Sequence, residues 1–259
     1  MSLMTVLIKS TLLILLALMN QSIAANDEEK TKIKQEFTDV QVISEVYPPY
    51  QVINEQGELQ GWAADKVKAI FEQSSIEYNV KIYPWARAYQ TALTEPNVFI
   101  FSLLRTDERE HLFRWISPLC MIKFSFYRLK QRHDIQIYSL EDAKKYRIAA
   151  QKGQASTEYL LRIGFEPEKN LSISYNNHNF IQMLAFGRVD LIVLSSTYFQ
   201  SLIDTKSSYV GKIEPIFPID YLTRHLYLAS SINTSPVLIK RLNDAYDELA
   251  LQFDNACNE

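Results

Sequence analysis

The chain has 259 residues, with 27 Lys and Arg set against 30 Asp and Glu, and only two cysteines. A slight acidic excess without basic runs argues against nucleic acid or an anionic membrane surface as the partner. Two cysteines exclude a disulfide scaffold, and 47% hydrophobic residues suffice for one large core or two smaller ones.

The opening MSLMTVLIKSTLLILLALMNQSIA carries one cation, Lys9, then the apolar run TLLILLALM, then Ser22-Ile23-Ala24. The run is too short to span a bilayer comfortably, and small residues follow it closely. Residues 1–24 are therefore expected to be a cleaved secretory signal, with the mature chain starting near Ala25. Loss of Lys9 leaves 26 basic against 30 acidic residues, a net charge of −4. Residues 25–38, charged and poor in apolar side chains, are expected to form a loose leader.

From there, short apolar runs alternate with helical patterns. DVQVISEV (39–46) predicts a strand, and QGWAADKVKAIFEQS (60–74) a helix with Trp62, Val67, Ile70 and Phe71 inward. Asp65 suits its first turn. EYNVKIY (77–83) reads as a strand, WARAYQTALT (85–94) as a helix and VFIFSLL (98–104) as a strand buried on both faces. TDEREHLFRWISPL (106–119) begins like a helix, with Thr106 as cap and Asp107 and Glu108 in the first turn. A capping box would place Glu or Gln where Arg109 stands. A cation there opposes the helix dipole, which asks what Arg109 is for.

The alternation restarts after FSFYRL (124–129). YRIAA, SISY and VDLIVL predict strands, and ASTEYLLRI, NFIQMLAF and STYFQSLI the helices between and after them. HLYLAS (225–230) is a last strand, followed by a helix opening Ser235-Pro236 with Leu238, Leu242, Tyr246 and Leu249 on one stripe. Two rounds of alternation predict two α/β lobes, each a mostly parallel sheet flanked by helices. With six glycines in all and no long linker, ordered strands must join them. Crossings near 121–126 and 218–223 give lobe 1 as residues 39–123 plus 224–259 and lobe 2 as 124–223. Such a two-strand hinge makes a cleft that can close.

Motifs for nucleophilic, phosphate or dinucleotide chemistry are absent from the sequence. His111, His133, His178 and His225 are scattered and read as surface or loop residues, so no metal or cofactor is expected. Trp62 and Trp115 read as core anchors. Cys120 and Cys257 lie far apart, and nothing local demands that they pair. Ligands of open α/β sheets sit beyond the carboxyl ends of strands. That rule selects the loops at 47–50, 83–87, 102–109, 151–155 and 195–198, which hold three arginines, several aromatics and a few hydroxyls and amides. The mixture suits a small anionic, partly apolar solute.

Several strings in these regions resemble one family. YPPYQVINEQGELQGWAADKVKAI resembles the opening of the family 3 extracellular solute-binding proteins, the periplasmic amino-acid-binding type, and TDEREHLFRWISPL resembles their T-x-x-R-x-x-x-F segment. YSLEDAKKYRIAAQKGQAS is similar to the start of their second lobe, and LAFGRVDLIV to their G-r-v-D signature. PWARA, at 84–88, resembles a sub-branch of stand-alone periplasmic proteins. The resemblance runs in order over 40–249 and implies a two-lobed periplasmic-binding-protein fold of type II.

It also implies a periplasmic, monomeric binder of a small carboxylate-bearing solute, working with an inner-membrane ABC permease and without catalysis. By position, Arg109 matches the family's carboxylate-binding arginine. Tyr47 matches an aromatic against the ligand, Ser102 a strand-end hydroxyl or carbonyl, and Gln154 a second-lobe contact; Trp85 is a second aromatic wall. Arg87 and Arg105 are further candidate contacts, with surface or inter-lobe ion pairing as their alternative. Tyr198 either lines the cleft or packs beside it. Departures matter too. Ser195 stands where amino-acid binders usually place the aspartate that pairs with the ligand ammonium, Leu104 replaces a common hydroxyl, and the first loop lacks an aspartate. An ordinary α-amino acid is thereby put in question. Two rivals remain: a dehydratase-like enzyme with Glu45 as candidate acid, and a ligand-sensing partner of a membrane receptor.

Overall fold

The computed structural model describes residues 39–174, 180–204, 210–253 and 257. The expected signal, the leader and His178 lie outside them. The first strand, β1 (Gln41–Ser44), is followed by a small hairpin of β2 (Val52–Ile53) and β3 (Leu59–Gln60) and by helix Trp62–Ser74. Next come β4 (Asn79–Ile82), helix Trp85–Thr94 and β5 (Val98–Leu104). Every residue of β5 is buried, as its unbroken apolar run requires of a central strand. β6 (Phe113–Ile122) then passes directly into β7 (Phe124–Leu129).

The second round comprises β8 (Ile148–Gln151), helix Ala155–Arg162, β9 (Leu171–Ser174), helix Phe180–Ala185, β10 (Leu191–Ser195) and helix Ser196–Asp204. β11 (Ile213–Pro218), β12 (Arg224–Ser231) and helix Pro236–Phe253 complete the chain. One sheet has the order β4-β1-β5-β12-β6 and the other β11-β7-β10-β8-β9. In each, three strands pair in parallel, β4-β1-β5 and β10-β8-β9. The antiparallel pairs involve β6, β7, β11 and β12, the strands on either side of the two crossings. The result is the two-lobed α/β architecture, with a separate core under each sheet. No helix among the described residues is long and apolar enough to cross a membrane.

Two expectations change, and a pairing that the sequence leaves open is decided. Residues 107–112 form consecutive turns, not a helix: the Arg109 N–H donates to Thr106 O at 3.0 Å and the Leu112 N–H to Arg109 O at 3.0 Å. The chain must swing straight into β6, so the turns never extend, and no helix dipole acts at Arg109. Trp62 is 41% exposed and meets Tyr50 edge-on rather than anchoring the core. Trp115 is partly buried against the lobe 1 core, as its aromatic bulk suggests. Cys120 and Cys257 are joined, fastening the chain beyond the last helix to β6. Tertiary proximity brings them together across 137 residues, which no local pattern can announce.

The bridge closes a long loop and restricts the unfolded chain. Cys257→Ser is expected to lower the unfolding free energy by about 2–4 kcal/mol. Chemical denaturation under oxidising conditions measures it, and an unchanged midpoint refutes it.

Candidate functional site between the lobes

The end of β1 sets one wall of the cleft. Ser44 donates to Phe101 O at 3.1 Å, Gln51 Nε2 donates to Ser44 Oγ at 3.1 Å, and Ser102 Oγ donates to Gln51 Oε1 at 2.7 Å. All three side chains are buried, so this chain of bonds ties the first loop to β5. Ser102 has φ of 58°, a left-handed backbone that costs a non-glycine residue about 1–3 kcal/mol. Gly61 holds the same loop from the other side. A Cβ there would sit 2.6 Å from Pro49 O, so only glycine allows the approach.

Lobe 2 meets this wall through a set of direct bonds. Trp85 Nε1 donates to Gly153 O at 2.6 Å, and Arg109 Nη2 donates to the same carbonyl at 2.8 Å. Arg109, 1% exposed, also pairs through Nε with Glu158 Oε2 at 2.9 Å. Its guanidinium lies over the Tyr89 ring at 4.7 Å, with Leu104 O at 3.5 Å from Nη1. Tyr47 shares a 2.8 Å hydrogen bond with Ser195 Oγ, which also accepts from the Tyr198 N–H at 3.2 Å. The Tyr47 ring stacks between Tyr50 and Tyr198, at 5.6 and 5.0 Å. Tyr198 therefore lines the cleft and packs within it.

Glu45 follows β1 and is 7% exposed. Its carboxyl accepts from Gln154 Nε2 at 2.7 Å and Gln151 Nε2 at 3.4 Å, with a further bond from the Trp85 backbone. Burial outweighs these bonds and raises its pKa from 4.5 to about 7. Burial likewise holds the Tyr47 hydroxyl well above its ordinary value.

Tyr47, Trp85, Ser102, Arg109, Gln154 and Ser195 thus converge on one cleft. Arg87 and Arg105 are placed elsewhere. Arg87 is exposed and lies over the Tyr83 ring at 4.0 Å, while Arg105 pairs with Glu110 at 2.5 Å between Trp115 and Tyr227. His111, His133 and His225 are exposed, and no group of three or more His, Cys, Asp or Glu among the described residues could hold a metal. Sequence reasoning left Glu158, Gln51 and Gln151 out of the candidate site. Glu158 had a signal: it stands four residues after Gln154, one helical turn along the same face. The lobes are closed on each other, leaving cavities of about 30 and 20 Å³, each with room for a water or two.

The sequence profile of the bacterial extracellular solute-binding proteins, family 3, matches residues 40–252. The chain belongs to this family. No curated protein sequence gives a significant match. Among solved structures, an ancestral arginine-binding protein bound to arginine is 18% identical with a TM-score of 0.69, covering 82% of this chain and 92% of that one. A histidine kinase sensor domain with similarity to periplasmic binding proteins is 15% identical with a TM-score of 0.69, covering 86% and 98%. ArtJ, the arginine-, lysine-, histidine-binding protein of Geobacillus stearothermophilus, is 14% identical at 0.69, covering 83% and 90%. At these identities the likeness establishes the two-lobed fold of the family.

A buried carboxyl with a raised pKa makes stability fall as pH rises. Below about 4.5 the group is protonated folded or unfolded; between 4.5 and about 7 only the buried form keeps its proton. The loss is complete above about 7 and amounts to at most about 3 kcal/mol, capped by cleft opening that rehydrates the group. Glu45→Gln is therefore expected to gain melting temperature relative to the parent as pH rises from ~5 to ~8. Parallel profiles of the two proteins would refute it.

Proposed function

We propose that this chain is a periplasmic binding protein that captures a small carboxylate-bearing solute between its lobes, without a catalytic step. One observation carries the reading: Arg109, buried at the cleft, holds a carboxylate, that of Glu158, from the opposite lobe. A guanidinium fork takes a carboxylate in a strong, directed bond. A solute carboxylate of the same chemistry can displace Glu158, whose side chain is 29% exposed and free to turn toward solvent. The small volume left in the closed form implies that the solute enters an open one, with Tyr47, Trp85 and Ser102 on lobe 1 and Gln154 and Ser195 arriving from lobe 2.

Family membership and the amino-acid binders among similar folds support a solute in the amino-acid or organic-acid size class. Delivery to an inner-membrane ABC permease follows from the same resemblance, since closure creates a surface that the open form lacks. The similar sensor domain of a histidine kinase supports a second role for the same closure, reporting occupancy to a membrane receptor.

A thermal-shift screen of amino acids and organic acids against the purified mature chain tests the binding site. Arg109→Ala is expected to abolish carboxylate-dependent stabilisation, and Arg109→Lys, which keeps charge but loses the fork, to weaken it about tenfold. Glu158→Gln, which removes the competing carboxylate, is expected to strengthen it. Unchanged stabilisation in the two Arg109 variants would remove Arg109 from the site.

A further inference from the structure

The closed cleft keeps only small cavities, but a groove at the outer strand of lobe 1 stays wide open. It lies between β4, the β2–β3 hairpin and helix Trp62–Ser74, has a volume of about 650 Å³ and shares no lining residue with the two cleft cavities. The helix leaves it uncovered because it packs toward β5, β6 and the last helix. Over β4 it presents Ala64, Asp65 and Lys68, which are small or drawn to solvent. Val42, Val80 and Ile82 form an apolar floor under the hairpin, and Ile53 and Val80 remain 43% and 42% exposed. Apolar surface rimmed by polar groups marks an interaction site.

The same strand is an open edge. Among the described residues β4 pairs with β1 alone. The Asn79 and Tyr83 N–H groups donate to Val40 O and Ser44 O, both at 2.9 Å. Strand alternation therefore turns the N–H and C=O groups of Val80 and Ile82 away from β1, while their side chains line the groove. Free backbone groups beside an apolar groove walled by a helix suit the addition of an extended peptide as a further strand. Lys81, in register with Ile43 and exposed on the other face, is the kind of edge charge that discourages two copies from pairing through β4.

The charges of the groove specify the occupant further. Lys68, the cation in its lining, is taken by Glu72 at 3.9 Å. Glu58 accepts from Asn54 Nδ2 at 3.1 Å, and among the described residues neither Glu58 nor Asp65 pairs with a cation. We propose that β4 is the docking edge for an extended segment of a partner protein. The segment adds as a sixth strand beside Val80 and Ile82, lays alternate apolar side chains into the groove and sets a Lys or Arg against Asp65 and Glu58. This docking is independent of what the cleft binds.

The probe is the heptapeptide Thr-Val-Thr-Lys-Thr-Val-Thr, acetylated and amidated so that its ends carry no charge, titrated into the mature chain and followed by amide NMR and hydrogen exchange. The Val80 and Ile82 amides are expected to shift and to gain protection. Replacing Lys by Glu in the peptide is expected to weaken binding about two- to fivefold, and Asp65→Lys to reverse that preference. Of two analogues N-methylated on alternate residues, only one is expected to lose binding, because an added strand turns half of its amides toward β4. Val80→Pro, which removes an outward N–H and leaves both bonds to β1, is expected to bind about tenfold more weakly. Several results overturn the assignment: no binding at millimolar peptide, equal behaviour of the two N-methylated analogues, equal binding of the Lys and Glu peptides by the parent chain, or sedimentation showing that β4 is covered by a second copy.

Discussion

One backbone carbonyl, that of Gly153, receives two donors from the opposite lobe, Trp85 Nε1 and Arg109 Nη2. The closed cleft depends on this meeting. Gly153 has φ of 78°, which glycine adopts at little cost, and the turn it makes lets helix Ala155–Arg162 start at the cleft wall. That start brings Gln154 onto Glu45 and, one turn later, Glu158 onto Arg109. These contacts of helix Ala155–Arg162 with lobe 1 follow from a single tight turn, while Tyr47 meets lobe 2 separately at Ser195, the end of β10.

The site is organised by burial as much as by charge. Two ionisable side chains of opposite sign lie at the ends of lobe 1 strands, where closure removes water from both. Arg109 finds Glu158, a carbonyl and an aromatic face. Glu45 finds only neutral donors, so its proton affinity rises. In the closed form one carboxyl is thus set to hold a proton and the other is paired with a guanidinium. At the rim, Arg162, Glu108 and Tyr221 add a second inter-lobe cluster. It is exposed and contributes little beside the buried bonds.

Much of this was legible before any coordinates. VFIFSLL had to be a buried strand because it offers no polar face, and it is β5, fully covered, at the centre of its sheet. WARAYQTALT had helical spacing and is helix Trp85–Thr94. Arg109 stood out because it breaks the economy of a helix start. The reason it does so was misread: the segment is a pair of turns, and no helix dipole is being opposed. The exposure of Trp62 and the bond between Cys120 and Cys257 were hidden for the same reason. Each depends on what packs from a distant part of the chain.

By itself the sequence determined the strand and helix periods, and hence the two α/β layers, because hydrophobic spacing acts within a few residues. It also determined the charges available to a cleft, since the ionisable groups near the strand ends are few. Tertiary structure decided which charges meet. Arg109 and Glu158 lie 49 residues apart, Tyr47 and Ser195 148, and Glu45 and Gln154 109. Such pairs form only when the lobes close and water leaves, and that desolvation gives Glu45 its altered proton affinity.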